Sequence, residues 1–404
     1  MEYIEGGVCA AKGYKASGVH CGIRKNKSKK DLALIMSEVR ASAASVYTTN
    51  LVKGAPITVT ANNISDGYAQ AIICNSGNAN TCNANGIEIA TEMCKLVEKH
   101  TGIKEKDVIV ASTGVIGQPL DITPIADGMT DLVDNLNSNG SADAAAAIMT
   151  TDTVLKEVAT EFEISGKKCR IGGIAKGSGM IHPNMATMLV FVTTDCAISP
   201  EMLHKAIKLD VADTFNMISV DGDTSTNDML SVLANGLAGN ESIVTDGEDF
   251  CLFCQALNFV TSALCRAIAK DGEGATKLLE CKVTGAADKE SARIIAKSVI
   301  CSSLVKAAMF GADANWGRVL CAIGYSGAQT DINKVSVSFS SSAGEIVVCE
   351  NGAGVDFSED KAKEILVCKD IGINVTLGDG NASATAYGCD LTYDYVRING
   401  DYRT

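Results

Sequence analysis

The stretch that most restricts how this chain can fold is residues 176–193, where KGSGMIHPNMA runs into TMLVFVT. Met188 to Val192 form an unbroken apolar row. A row without polar alternation suits a strand buried on both faces, and such a strand needs layers on either side of its sheet. The segment before it, Cys169 to Ala175, also reads as a strand. The linker carries Gly177, Gly179 and Pro183, and glycine holds backbone shapes that other residues resist. Two readings of the linker stay open. It is a plain hairpin loop, the commoner use of such a sequence. Alternatively, it presents the Ala186–Thr187 bond for attack by the Thr187 hydroxyl, so that an acyl shift to oxygen and hydrolysis free Thr187 as a new N-terminus. In that case the α-amine of Thr187 serves as general base for its own hydroxyl. An α-amine of pKa about 8 keeps a usable neutral fraction near neutral pH, and the β-methyl restricts the side-chain rotamer and aims the oxygen.

With 404 residues the chain has room for two or three domains and a large core. Net charge is −13 and the pI is about 4.9, so polyanions such as nucleic acid and anionic membranes are poor partners. Glu2 and Glu5 stand where an export signal would be basic, and no run approaches the ~18 apolar residues of a membrane span. A cytoplasmic location is expected. The sixteen cysteines are scattered in mostly apolar company, as reduced thiols used for packing would be. Cys251 and Cys254 form a C-x-x-C without a second ligand pair, so core packing is expected rather than metal.

Helices are expected at 85–100 and 249–270, and a buried strand at Val108–Ser112 leading into Thr113-Gly114. Towards the C-terminus, Val335–Phe339 alternates as a half-buried strand does, with further strands at Glu345–Cys349 and Ile373–Leu377 and a helix around Lys361–Leu366. The texture predicts a layered α/β (α+β) protein with a smaller C-terminal sheet-and-helix domain, divided near 1–200, 201–280 and 281–404. The basic run 24–30, RKNKSKK, reads as a solvated loop. P-loop and dinucleotide fingerprints are absent; Gly177 and Gly179 lack a third glycine because residue 182 is His. Asp221 to Asp228 opens like a calcium loop but has Val232 where the bidentate Glu belongs, so a polar, site-lining or structural turn is expected. His182 is either a catalytic base or a loop or cleavage-site residue.

KGSGMIHPNMATML closely resembles the cleavage signature of the ornithine acetyltransferase (ArgJ) family of arginine biosynthesis. The resemblance extends in family order through YTTNLVKGAPI, CNSGNANTC, ASTGVIGQPL, IMTTDT, SVDGDTSTND, GEGATK, FGADANWGRV and YVRINGDYRT, nearly the whole chain. It implies an αββα sandwich similar to N-terminal nucleophile hydrolases, cleaved between Ala186 and Thr187 into two associated fragments, commonly two copies of each. It also implies an acetyl transfer from N2-acetylornithine to glutamate through Thr187. No cofactor is implied; acetyl-CoA as a second donor stays open.

By motif, Thr113 and Gly114 correspond to the oxyanion pair, and Thr153, Lys176, Glu273, Asn399 and Thr404 to substrate contacts. An ammonium at Lys176 suits the α-carboxylate shared by acetylornithine and glutamate. The C-terminal tail needs holding, and Tyr395, Val396 and Ile398 are the expected packing residues. Two departures stand out: Ala314 where the family has Pro, and Gly54 where it has Ala. Neither is expected to touch the chemistry. The rival enzyme reading is a self-cleaving aminopeptidase or amidase, for which the Lys176 and tail contacts would be superfluous.

Overall fold

The computed structural model describes residues 1–182 and 188–400. It consists of two compact units that interleave along the chain. The first comprises Met1–Gly177, Asn184–Ala212 and Thr224–Leu264; the second Ser178–Pro183, Asp213–Asp223 and Cys265–Thr404. Texture alone suggested contiguous stretches at 1–200, 201–280 and 281–404, whereas the chain passes repeatedly between the compact units.

Strands β1 (Tyr3–Ile4), β2 (Tyr14–Val19), β3 (Leu32–Tyr47), β4 (Tyr68–Asn78), β5 (Val108–Val115), β6 (Lys156–Ile164), β7 (Lys167–Lys176) and β8 (Leu189–Thr194) lie in the first unit. β9 (Ile218–Ser219) belongs to the second, and β10 (Met229–Ala234) returns to the first. Among the described residues the first unit's sheet has nine strands, in the order β1-β6-β7-β8-β10-β3-β4-β5 with β2 on β3. The helices of this unit are α1 (Ala55–Asn63), α2 (Gly86–Thr101), α3 (Thr123–Asp134), α4 (Ser141–Ile148), α5 (Pro200–Val211) and the first part of α6 (Glu248–Lys270).

Side chains alternate between faces along a strand, and in β3 to β5 both faces are apolar. Leu32, Leu34, Ala71, Ile73, Val108 and Val110 pack with Met93 and Val97 of α2 and Ile125 and Met129 of α3. Ala33, Ile35, Ile72, Cys74, Ile109 and Ala111 face the opposite core with Ala144, Ala145, Ala147 and Ile148 of α4. The full burial expected of the Met188–Val192 row is met in β8, which is buried at every residue, with Leu189 and Phe191 facing the α4 core. The alanines of α4 let it approach closely. A Cβ on Gly140 would stand 1.8 Å from the Ala16 carbonyl oxygen, and one on Gly18 would stand 2.1 Å from that of Asp143.

The second unit carries a seven-stranded sheet among the described residues. Its strands are β11 (Leu278–Ala286), β12 (Ser336–Ser341), β13 (Gly344–Glu350), β14 (Ala353–Gly354), β15 (Asp370–Thr376) and β16 (Ala382–Cys389), in the order β14-β13-β12-β15-β11-β16-β9. Here one face is apolar: Cys281, Val283, Val337, Phe339, Ile373 and Val375 pack with Ile295 and Val299 of α7 (Lys289–Cys301). Helices α8 (Ser303–Phe310), α9 (Trp316–Gly324) and α10 (Glu359–Leu366) add Val305, Val319 and Ile365 to the same core, and α11 (Tyr393–Gly400) ends the described chain. The mixed α/β class and the C-terminal sheet-and-helix unit stand as expected.

Against expectation, one helix among the described residues, α6, passes the length and mean-hydropathy test for a membrane span. Phe253, Ala256, Leu257, Val260 and Leu264 are buried at helical spacing, which is how a core helix of this length looks.

Phe191 on β8 is fully buried in the α4 core. Phe191→Ala should lower the unfolding free energy by about 3–5 kcal/mol, read as a fall in the urea midpoint. A loss under about 1 kcal/mol would place this strand outside a packed core.

Candidate active site

In the first unit, Lys176 is the last residue of β7 and pairs with Leu189. Leu189 faces the α4 core, so Lys176 points from the same face. Thr113 shares that face, two residues beyond Ala111 on β5. Cys74 of β4 and Lys176 of β7 are close enough to influence each other's charge, although β8, β10 and β3 lie between their strands. Helix α4 packs against β2, β3, β4 and β7 on that face.

Asp152, just before β6, is the hub of this end of the sheet. Its Oδ1 accepts from Lys156 Nζ at 2.7 Å and from Gly177 N at 2.7 Å. Its Oδ2 accepts from Thr150 N at 3.0 Å. Both side chains of the Asp152–Lys156 pair are wholly buried. Burial alone would raise the Asp152 pKa, but the charges of Lys156 and Lys176 hold it below the usual carboxylate range. Burial pulls the Lys176 pKa below its ordinary value, against the opposing attraction of Asp152 and Asp228. Among the described residues Lys176 forms no ion pair; its ammonium makes one long hydrogen bond, 3.4 Å, to Thr150 Oγ1. Thr153 follows Asp152 and is exposed.

At the end of β5 the parallel register with β4 is irregular, Asn78 standing opposite both Thr113 and Val115. Gly114 has φ 133°, and a Cβ there would lie 2.3 Å from the Gly77 carbonyl carbon. Close backbone approach therefore demands glycine. Asn227 secures the neighbouring turns: its Nδ2 donates to Ala79 O (2.6 Å) and Ser112 O (2.9 Å), and its Oδ1 accepts from Thr81 Oγ1 (2.6 Å). Gly54 lies against this amide; a Cβ there would stand 2.5 Å from Asn227 Nδ2. The Gly54 departure thus sits one contact from the strand that carries Thr113.

In the second unit, the glycine-rich segment is held by its backbone. Asp221 accepts from Met180 N (2.6 Å) and Ile181 N (2.8 Å), and Val220 N donates to Ile181 O (2.7 Å). The turn at Asp221 is therefore a structural clasp. Glu273 is buried; its N donates to Ser178 O at 2.8 Å, and its carboxylate accepts from Asn399 Nδ2 at 2.7 Å. A Cβ on Gly179 would stand 2.3 Å from that carboxylate, so the second glycine makes room for it. The structure thus brings Glu273 and Asn399 together. The tail helix α11 is seated by Thr392 Oγ1 on Gly274 O (2.7 Å), while Val396, expected to pack behind it, is 69% exposed.

His182 Nδ1 lies 3.1 Å from Ser219 Oγ and 3.4 Å from Cys301 Sγ. Burial, with Lys297 nearby, lowers its pKa to about 4. Cys251 is exposed and Cys254 half-buried, so core packing describes the second better than the first. Ala186, Thr187 and Thr404 lie outside the described residues.

The profile of the ArgJ family matches residues 15–404. The chain belongs to the ArgJ family. It is similar to the arginine biosynthesis bifunctional protein ArgJ of Caldanaerobacter subterraneus subsp. tengcongensis, 52% identical over 405 residues and covering 100% of both chains. It is also similar to arginine biosynthesis bifunctional protein ArgJ 1 of Clostridium acetobutylicum, 50% identical over 97% of this chain and 96% of the relative. The crystal structure of the ArgJ protein from Bacillus halodurans is 47% identical, with TM-score 0.51, and covers 53% of this chain and 99% of that chain. The expectation of an ornithine acetyltransferase of arginine biosynthesis stands with this ArgJ membership. Sequence reading missed Asp152, Lys156 and Asn227. Asp152 and Lys156 stand four residues apart next to TTDT, a spacing that could have flagged a pair.

Depressed to about 4 from an ordinary 6.5, His182 binds more protons unfolded than folded between those values. Its contribution to stability is present above about pH 6.5 and is lost as pH falls towards 4. His182→Gln should flatten this part of the denaturation-midpoint profile between pH 6.5 and 4; an unchanged slope would show that His182 is not held neutral.

Proposed function

We propose that this protein is a self-cleaving glutamate N-acetyltransferase that moves the acetyl group from N2-acetylornithine to glutamate through acetyl-Thr187. The observation that carries the reading is Lys176: a half-buried ammonium without an ion pair among the described residues, in the same KGSGMIHPNMAT segment of sequence as Thr187. Such a group is suited to a substrate carboxylate. Cleavage between Ala186 and Thr187 supplies the free α-amine. That amine takes the Thr187 hydroxyl proton as Oγ attacks the acetyl carbonyl, and returns it to the departing nitrogen as the carbon–nitrogen bond breaks and ornithine leaves. Glutamate's amine then attacks the acetyl ester and the steps reverse. Thr113 and Gly114 stabilise the tetrahedral oxyanion. Thr153, Lys176, Glu273, Asn399 and Thr404 are assigned as substrate contacts.

The Bacillus halodurans chain supports the cleavage reading, since nearly all of it covers a little over half of this chain, the share that residues 187–404 would make. The relatives' name, bifunctional protein, supports a second activity, which we assign to acetyl-CoA as an alternative donor. Self-cleavage would leave two fragments that assemble as two copies of each. No cofactor takes part, and the reaction is assigned to the cytoplasm.

Intact mass of the active protein should show fragments 1–186 and 187–404, while Thr187→Ala stays whole and inactive with either donor. A single full-length species in active protein would refute cleavage. Thr113→Val should lower kcat about 100- to 1000-fold with little change in KM, as removal of an oxyanion donor does. A near-normal kcat would reduce Thr113 to a turn residue.

A further inference from the structure

Asp152 has two cations in reach and pairs with one. Lys156 Nζ lies 2.7 Å from its Oδ1, with both side chains wholly buried. Among the described residues Lys176 reaches Thr150 Oγ1, at 3.4 Å, on the residue whose N–H occupies Asp152 Oδ2. Thr150 thus bridges the second lysine's ammonium to the carboxylate. A buried carboxylate seeks a full complement of donors, and an ammonium nearby is the strongest it can find. Without Lys156, the nearest source of compensating charge is Lys176. A Lys176 ammonium engaged by Asp152 would be closed to an incoming anion.

We infer that Lys156 is a positioning residue that occupies Asp152 and so keeps the Lys176 ammonium open for a substrate carboxylate. The inference rests on the reading of Lys176 given above. It makes the Asp152–Lys156 pair an electrostatic spacer: charge-neutral as a unit, anchored to Gly177 N at 2.7 Å, with the working cation left over. In support, Asp152 feels the charge of both lysines, and Lys156 opposes the charge on Lys176 while Asp152 favours it. On this inference Lys156 acts on substrate binding through Lys176.

The test is steady-state transfer by the purified enzyme, with glutamate varied at saturating N2-acetylornithine. Lys156→Met should raise KM for glutamate about tenfold, the cost of breaking a new Asp152–Lys176 pair, with kcat changed less than about threefold. Adding Asp152→Asn to Lys156→Met removes the competitor and should return KM to within about threefold of the parent. A merely structural pair predicts no such rescue. Equal impairment of the single and double variants, or an unaltered KM in Lys156→Met, would overturn the inference. Should Lys156→Met fail to fold, Asp152→Asn alone decides it: KM should equal the parent's or fall, and a rise of about threefold or more counts against the idea. Lys176→Met separates the two levels. If it leaves KM for glutamate unchanged, the reading of Lys176 fails; if it raises KM while the rescue is absent, only the role of Lys156 fails.

Discussion

A carboxylate with no solvent around it is tolerable only where donors saturate it. Asp152 meets that condition through Lys156, Gly177 N and Thr150 N, and in doing so pins three separate pieces of chain. It joins the exit of α4 to the start of β6 and the end of β7. Everything proposed for the first unit depends on this junction. It sets where the glycine-rich loop leaves the sheet, and it decides that one lysine is neutralised while the next is not. Removing a single partner would force the others to rearrange around a buried charge, so these contacts constrain one another and are not independent contributions.

The second unit applies the same logic with different groups. Asp221 spends both oxygens on the backbone of Met180 and Ile181, and Glu273 lies where Gly179 has no side chain. The small residues of KGSGMIHPNMA thus have particular uses: Gly177 offers an N–H to Asp152, and Gly179 leaves space for a carboxylate. The departure at Gly54 acquires a similar meaning, because the Asn227 amide occupies the volume that an alanine would need. The Ala314 departure is buried, and nothing in the structure explains the choice of alanine there.

Much of the fold was legible where periodicity is strong. The helices expected at 85–100 and 249–270 are α2 and α6, and the strand expected at Val108–Ser112 is β5, extended to Val115. The alternation at Val335–Phe339 became β12, with Val337 and Phe339 inward. Periodicity describes local structure and cannot show which distant segments meet, which is why the interleaving of the units was invisible. For the same reason Asp152 and Asn227 passed as ordinary polar residues: their partners, Gly177 in one case and Ser112 in the other, are remote in sequence. The glycine at 114 was noticed for its motif, but its physical necessity lies in the approach of Gly77, which only the folded sheet reveals. The candidate nucleophile was read from the loop and the family signature, and Lys176 from the family signature alone; both stand as assignments of the proposed function.

The central claim is that Thr187 carries the acetyl group between donor and acceptor. The most direct measurement is to mix the enzyme with N2-acetylornithine in the absence of glutamate, quench in acid, and sequence the peptide that begins at Thr187 by mass spectrometry. The account predicts one acetyl group on the Thr187 hydroxyl, with ornithine released in equal amount, and loss of that label when glutamate is added before the quench. An unmodified Thr187 peptide under conditions where ornithine is released, or an acetyl group that glutamate does not remove, would contradict it.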